Sequence, residues 1–577
     1  MDLRELSVIE EKIAKIEDES KVETGIVEAT FEDAISATGF GKFNLILLML
    51  SVPCGWASIM DTTTMSYVVP AAHCDLDLNL EQRGMLNAIT YLGMISGALI
   101  WGFLADTLGR KKILIVGYLF DAICVVIAAL SQSYEMLLTA KFLTGLFMNG
   151  PFAALTTVVS EFHSAKYRGK IVMGLGVVYS FGQLIMPALG WLIIPQTMDY
   201  ELFNGNIKLH SWNFFILICA IPSFVAFVGH CFLPESPKFL MTVGRNEEAL
   251  GHCFLPESPK FLMTVGRNEE ALRTFKRVYS LNTGKHRDTF QIKSLIDETK
   301  LNLGGKHGGA VTANRTKTQA LKEGWQQIAP MFFPPHLWKI SVAAGIQCAL
   351  MLGTNTIRLW LPQIFTAMND YQLLHNGATD SFPQIFTAMN DYQLLHNGAT
   401  DSLCTMLEII TPNVGNTTEP EECVVNALSD FVYINAMIVA ATSIILVSII
   451  SASINIIGKK RALITLSGTS AVAAICFYLA QNSATVVALS AISVTFLNTS
   501  LNIELAIVVD MFPTTLRTIA VAITLMIGRT GAMSGNVAFP YLLAIGCLPP
   551  FLVIGSIIFS GTLMAFLLPK TDLKAMK

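Results

Sequence analysis

The sequence predicts an all-α membrane protein: twelve transmembrane helices in two six-helix bundles, with both termini cytosolic. Three observations predict it. Of 577 residues, 52% are hydrophobic and only 14% charged, against roughly 25% charged in soluble domains. Twelve runs reach the roughly 20 apolar residues that a spanning helix needs: about 43–70, 84–105, 113–131, 137–160, 169–194, 212–233, 338–361, 431–456, 462–480, 484–509, 518–541 and 548–568. The connections alternate in charge. Those after the second, fourth, sixth, eighth and tenth runs carry Arg110-Lys111-Lys112, Lys166 with Arg168 and Lys170, a Lys/Arg-rich stretch of about a hundred residues, Lys459-Lys460-Arg461, and Arg517. The opposite ones carry Arg83 and Lys208, with no Lys or Arg over 362–430. An excess of Lys and Arg marks the cytosolic face.

Each part follows from this pattern. Residues 1–42 are polar and acidic and lack the basic start and apolar core of a cleaved leader, so they are expected to form a cytosolic segment. The first bundle then covers 43–233, a cytosolic linker 234–336, the second bundle 337–570 and a cytosolic tail 571–577. In the linker, 268–279 and 289–301 space apolar residues helically among charges, as amphipathic helices on a membrane face do. Gly304-Gly305-Lys306-His307-Gly308-Gly309 is a flexible break. Two stretches recur without change: 229–250 as 251–272, and 362–381 as 383–402. Structural repeats keep a pattern while residues diverge. Perfect identity, once per site, points instead to a gene-assembly error or a very recent duplication, and the second copies are read as redundant.

Several functional classes find no support. A net charge of −4 gives no reason for nucleic-acid binding, and the eleven cysteines are scattered mostly through apolar runs, without zinc-site spacing. There is no P-loop and no nucleophile–base constellation, so no enzyme, metal or cofactor is expected.

Four connections carry motifs. Gly102-Phe103-Leu104-Ala105-Asp106-Thr107-Leu108-Gly109-Arg110-Lys111-Lys112 joins the second and third runs. It reads as a tight turn in which Gly102 and Gly109 let the chain reverse and Asp106 faces a basic cluster. The fourth run ends in Ser160-Glu161-Phe162 and reaches Tyr167-Arg168-Gly169-Lys170. Pro234-Glu235-Ser236-Pro237-Lys238-Phe239-Leu240 closes the sixth run, and Val509-Asp510-Met511-Phe512-Pro513-Thr514-Thr515-Leu516-Arg517 follows the tenth. Together these resemble the major facilitator superfamily over about residues 40–570, in the form of its sugar- and organic-ion-porter branches. Phe31-Glu32-Asp33-Ala34, Thr38-Gly39-Phe40-Gly41-Lys42-Phe43, Tyr67-Val68-Val69-Pro70 and Tyr91-Leu92-Gly93-Met94 are similar to the synaptic vesicle glycoprotein 2 family, with insect 2B/2C-like members most alike. That family has a large glycosylated loop between its seventh and eighth helices. Here the loop holds the sequon Asn416-Thr417-Thr418, and Cys404 and Cys423 are expected to pair in it. The short N-terminal segment and Asp510, where a glutamate is usual, depart from the family.

The resemblance implies two bundles rocking about a central site. A small organic solute would move by alternating access in a monomer, coupled to protons or cations. The alternative is a vesicle protein that acts in trafficking and exocytosis through partners, with little or no transport. Either places it in the plasma membrane or a synaptic-type vesicle membrane. Asp106, Arg110, Glu161 and Arg168 are expected to meet as a cytosolic gate, with Glu235, Asp510 and Arg517 as counterparts; the bland alternative is solvated loop charge. The second-half loop, Gly458-Lys459-Lys460-Arg461, has no acid.

Ionisable side chains inside spans cost about 2.5–3.5 kcal/mol on insertion scales and default to functional hypotheses. Asp61 in the first run is the candidate for proton or cation coupling. Glu504 and Arg529 pair across helices, or Arg529 meets an anionic substrate. Lys141 stands four residues before Gly145, where an arginine is common. Structural ion pairs and snorkelling compete with each role. Asn87 with Tyr91, Tyr179 with Gln183, and Asn498 with Asn502 share helix faces at i,i+4. They line a cavity or form interhelical hydrogen bonds. Trp56 offers an aromatic wall, and Trp360 is expected rather as an interfacial anchor.

Overall fold

A computed structural model describes residues 28–232 except 109, 197 and 203–206; 258–296 except 265–266; 331–376 except 332 and 335; residue 403; and 430–569 except 481–482 and 513. The apolar runs form helices. In order, β1 (Glu28–Ala29) and α1 (Phe31–Ala37) precede α2 (Lys42–Ala72), α3 (Leu80–Leu108), α4 (Arg110–Ala129), α5 (Tyr134–Glu161) and α6 (Ala165–Ile193). A hairpin, β2 (Tyr200–Leu202) with β3 (Ile207–Leu209), leads to α7 (Ser211–Cys219) and α8 (Ile221–Phe232). The linker holds α9 (Pro259–Thr264), α10 (Asn268–Thr283) and β4 (Ser294–Leu295). The second half is α11 (His336–Asn376), α12 (Asp430–Ile457), α13 (Lys459–Cys476), α14 (Ser483–Met511), α15 (Thr514–Ile545) and α16 (Leu548–Ala565). Among the described residues, ten helical stretches are long and apolar enough to cross a membrane. The second and eleventh runs are occupied by α3 and α15, of 29 and 32 residues. The sixth run is split into α7 and α8 just before Pro222, which has no N–H to continue the ladder.

Small residues let the helices of the first bundle meet. A Cβ on Gly145 would collide with the Thr90 carbonyl oxygen, and one on Gly93 with that of Phe142. The backbones of α3 and α5 therefore cross in direct contact, as small-residue interfaces in membranes allow.

The two bundles are joined at one end and apart at the other. Where α2 ends and α3 begins, Tyr67 stacks on Tyr433 at 6.2 Å. The Trp191 indole there donates to Asp430 at 2.6 Å, and Gly84 is pressed against Pro540. One apolar core runs through both bundles in this half, from Val68 and Met186 to Trp360 and Phe539. Toward the basic connections the core divides. Phe43, Leu47, Ile113 and Phe162 cluster in the first bundle, while Met331, Ile340, Val508 and Phe512 cluster in the second. Gly174 and Gly176 on α6 face open space there. The two bundles thus share one core at the end away from the basic connections and hold separate cores toward them.

Four expectations are corrected. The turn after the second run is not spread over 102–112. Helix α3 continues through Gly102 to Leu108 and α4 starts at Arg110, because Leu104, Ala105 and Leu108 are strong helix formers. The described part of the segment read as a second amphipathic helix, residues 289–296, is not helical in that way. Phe290 and Ile292 are buried at a spacing of two, the strand period, and β4 pairs in parallel with β1. The apolar face of α10 is covered by the N-terminal segment, since Phe31, Ala34 and Ile35 pack with Ala271, Phe275 and Met263. Trp360 is no interfacial anchor: it is 1% exposed and packs on Phe539 at 4.6 Å.

The duplicated segments are used differently at the two sites. The first copy supplies the end of α8 through Phe232, and the second copy supplies Ser258 and α9, directly followed by α10. The copy contiguous with α10 docks through Leu262 and Met263, and 233–250 of the first copy lies outside the described residues. At the other site the first copy continues α11 to Asn376, and 383–402 lies outside the described residues.

Candidate functional site

Halfway along the helices, side chains from both bundles meet in one polar layer. Tyr91 comes from α3 and Asn149 from α5; Asn355 and Arg358 come from α11 and Arg529 from α15. Asn355 and Arg358 are three residues apart and share a helix face. The Tyr91 hydroxyl donates to Asn355 Oδ1 at 2.7 Å. Arg358 Nη2 donates to the same oxygen at 2.8 Å and to the Tyr91 hydroxyl at 3.3 Å. Arg529 Nη1 donates to Asn149 Oδ1, whose amide is oriented by donating to the Met94 carbonyl at 3.0 Å. Met94, Met148, Leu359 and Ala532 surround the layer. Both amide atoms of Asn87, one turn from Tyr91, are buried without a hydrogen-bond partner; so are those of Gln347, which lies against Gly528. Buried polar groups are rarely left unmatched in native proteins, and such groups beside this layer suit a polar ligand.

A second cluster lies inside the first bundle. Asp61 on α2 and Lys141 on α5 are each 1% exposed. Lys141 Nζ donates to the Asp61 backbone carbonyl at 3.0 Å, and neither carboxylate oxygen of Asp61 receives a hydrogen bond from a donor. Asp121 on α4 is fully buried and accepts the Ser223 hydroxyl, from α8, at 2.6 Å. The Asp61 and Asp121 carboxyls are within hydrogen-bonding reach of each other. A hydrogen bond between two carboxyls requires a proton on one of them, so the pair can exist with one proton shared.

The other candidates divide. Arg529 does not pair with Glu504. Arg529 reaches across to Asn149 in the first bundle, whereas Glu504 is buried on α14 with both oxygens unpartnered. The Tyr179 ring fills the space over Gly55 and lies 6.2 Å from Phe152; Gln183 is half-buried. Asn498 is half-buried, and Asn502 is exposed and donates back to the Asn498 carbonyl at 3.1 Å. Trp56 donates to the Val178 carbonyl at 3.1 Å.

At the open end, Arg110 Nη2 lies 3.4 Å from Glu161 Oε1, and the other Glu161 oxygen accepts the Ser258 hydroxyl. Arg168 does not join them. Its Nη2 donates to Glu32 at 2.8 Å and its Nε to the Ser160 carbonyl at 2.8 Å. Lys459 meets Asp510 at 2.7 Å, so the second-half loop borrows its acid from the end of α14. The side chains of Asp106 and Arg517, and the residues Gly109, Glu235, Cys404, Asn416 and Cys423, lie outside the described residues.

Sequence reasoning passed over Asp121, Arg358, Glu32 and two cysteines. Asp121 and Arg358 obey the same criterion as Asp61, an ionisable residue inside an apolar run. Glu32 stood only in a motif of the resemblance, and its pairing carried no signal because its partner is 136 residues away. Cys74 and Cys547, both at the closed end, are disulfide-bonded.

Comparison with known proteins agrees with this architecture. The family described as "Sugar (and other) transporter" matches residues 53–251. Synaptic vesicle glycoprotein 2B of Rattus norvegicus is 34% identical over 219 residues, 38% of this chain and 32% of that protein. Synaptic vesicle glycoprotein 2C of Mus musculus is 28% identical over 235 residues, 41% of this chain and 32% of that protein. The matched stretch thus spans about a third of the length of these curated relatives. Among solved structures, the xylose transporter XylE from E. coli in a partially occluded inward open conformation has a TM-score of 0.58 at 14% identity, covering 92% of this chain and 100% of that one. A D-xylose-proton symporter gives 0.56 at 14%, covering 92% and 99%. The fold is that of the major facilitator transporters, as the motifs implied, and the chain resembles the synaptic vesicle glycoproteins 2 over about two fifths of its length. It is a multi-pass membrane protein.

Proposed function

We propose that the protein is a secondary active transporter that moves a small organic solute by alternating access, coupled to protons through Asp61 and Asp121. The observation that carries this reading is the polar layer of Tyr91, Asn149, Asn355, Arg358 and Arg529. It is assembled from both bundles halfway along their helices, where the shared core gives way to separate ones. A site divided between two bodies changes its access when they rock. The basic connections at the open end, and disulfides at the closed end, which form in oxidising compartments, support a cytosol-facing state with cytosolic termini.

Coupling follows from the acid pair. With one shared proton, Asp61 and Asp121 present one negative charge to Lys141; losing it places two like charges side by side, which is unfavourable. Proton loading and release are thereby tied to how α2, α4 and α5 pack. At the open end, Arg110 with Glu161 and Lys459 with Asp510 hold helix ends within each bundle.

In proteoliposomes, an inward proton gradient should drive solute accumulation by the wild-type protein. Asp61→Asn and Asp121→Asn should each lose the gradient-driven component, by about tenfold or more, yet retain solute exchange. No flux above empty liposomes, for sugars, organic cations and organic anions alike, would sink the proposal. The resemblance to the synaptic vesicle glycoproteins favours a second reading, in which the protein acts in vesicle traffic through partners. A traffic phenotype that persists with Asp61 and Arg529 both neutralised would select it.

A further inference from the structure

We infer that the solute is an organic anion whose carboxylate or phosphate group is held between Arg358 and Arg529. The inference rests on the transporter reading and names the substrate class of the same site. Both guanidiniums project from the second bundle into the polar layer and bond residues of the first, Arg358 the Tyr91 hydroxyl and Arg529 the Asn149 amide oxygen. The Tyr91 hydroxyl is 3.3 Å from Arg358 Nη2. Among the described residues their hydrogen-bond partners are neutral: Asn355 and Tyr91 for Arg358, Asn149 for Arg529. Arg358 Nε is buried with no acceptor.

Neutral amides orient a guanidinium without balancing its charge. The acids inside the spans are engaged or placed elsewhere. Asp61 and Asp121 face each other and Lys141, and Glu504 has no hydrogen-bond partner on α14. Two cations at one depth, with donor capacity left over, fit an anion arriving between the bundles. Arginine suits the task because its planar fork binds carboxylate and phosphate oxygens in pairs. A neutral sugar needs donors and acceptors but leaves both charges unbalanced.

The test uses the full chain purified in detergent, with thermal unfolding read at constant ionic strength, and the same protein in liposomes. The probes are a series of C3–C6 monocarboxylates and dicarboxylates, a set of sugar phosphates, a neutral hexose and a quaternary ammonium ion. At least one carboxylate or sugar phosphate should raise the unfolding temperature and be transported. Which of the two classes does so identifies the anionic group. Arg358→Gln and Arg529→Gln should each weaken that binding by about tenfold or more, and the corresponding lysine variants should weaken it less. The unfolding temperature without solute shows whether each variant folds. Stabilisation by the hexose or the ammonium ion alone, anion binding unchanged in both glutamine variants, or no response to any anion would overturn the inference. Anion binding without flux would instead count against the transporter reading.

Discussion

His163 illustrates how one residue reports its surroundings at the open end. It follows α5, is 1% exposed, and its Nδ1 lies 2.6 Å from the Val159 carbonyl. Burial holds its imidazole below the ordinary histidine value; the Val159 carbonyl pulls it up by less, and Arg168 adds a push downward. The folded protein therefore binds this proton less readily than the unfolded chain. The associated stability is fully present above the unfolded value of about 6.5 and is lost as pH falls below it. His163→Gln should flatten the unfolding temperature between about pH 7.5 and 5.5 relative to wild type. An identical slope in both proteins would show that other groups govern the acid response. At this scale the sequence was informative wherever a residue broke its local pattern: Asp61, Lys141, Glu504 and Arg529 stand out because lipid-spanning runs exclude charge. It was silent on pairing, and so Arg529 was offered either Glu504 or an anionic substrate, and Arg168 was expected to join Asp106, Arg110 and Glu161.

Among the elements, the N-terminal segment and the linker form one unit that neither declares alone. Asn282, near the end of α10, accepts the Phe43 N–H at 3.1 Å. It also donates to the Gly39 carbonyl at 2.9 Å and to Asn44 at 2.8 Å. A linker side chain thus caps the first membrane helix, because the first N–H groups of any helix need external acceptors. Asn282→Ala should lower stability by about 1 kcal/mol, the usual loss for a cap. It should also speed proteolytic release of the segment around α1, and unchanged proteolysis would argue that α1 is held by its apolar contacts alone. The helix period of 268–279 was legible because charge covers one face and apolar residues the other. Residues 289–296 were misread because a few apolar residues fit either period until a partner strand selects one.

For the whole molecule, the state matters more than the parts. The apolar core is continuous across the bundles at the closed end and divided at the other, so the two ends should differ in access to a reagent. Gly176→Cys, at a position facing open space, should react readily with a membrane-impermeant thiol reagent from the side of the basic connections. Gly190→Cys, which would meet Tyr433, should resist it. A proton gradient that cycles the protein should narrow the difference, and equal reactivity at rest would contradict the separation of the two cores.

By itself, the sequence determined the helical membrane class, the spans and the alternating charge of their connections. These depend on local composition measured against one solvent, the bilayer, whose thickness sets helix length and whose surfaces sort charge. Only the tertiary structure decided which ionisable groups meet, that Asp121 stands beside Asp61, that Arg358 and Arg529 share one layer, and that the bundles part at one end. Such relations join residues tens to hundreds of positions apart. They arise from packing between helices, in which small residues such as Gly93 and Gly145 set how near two backbones come, and no local pattern encodes them.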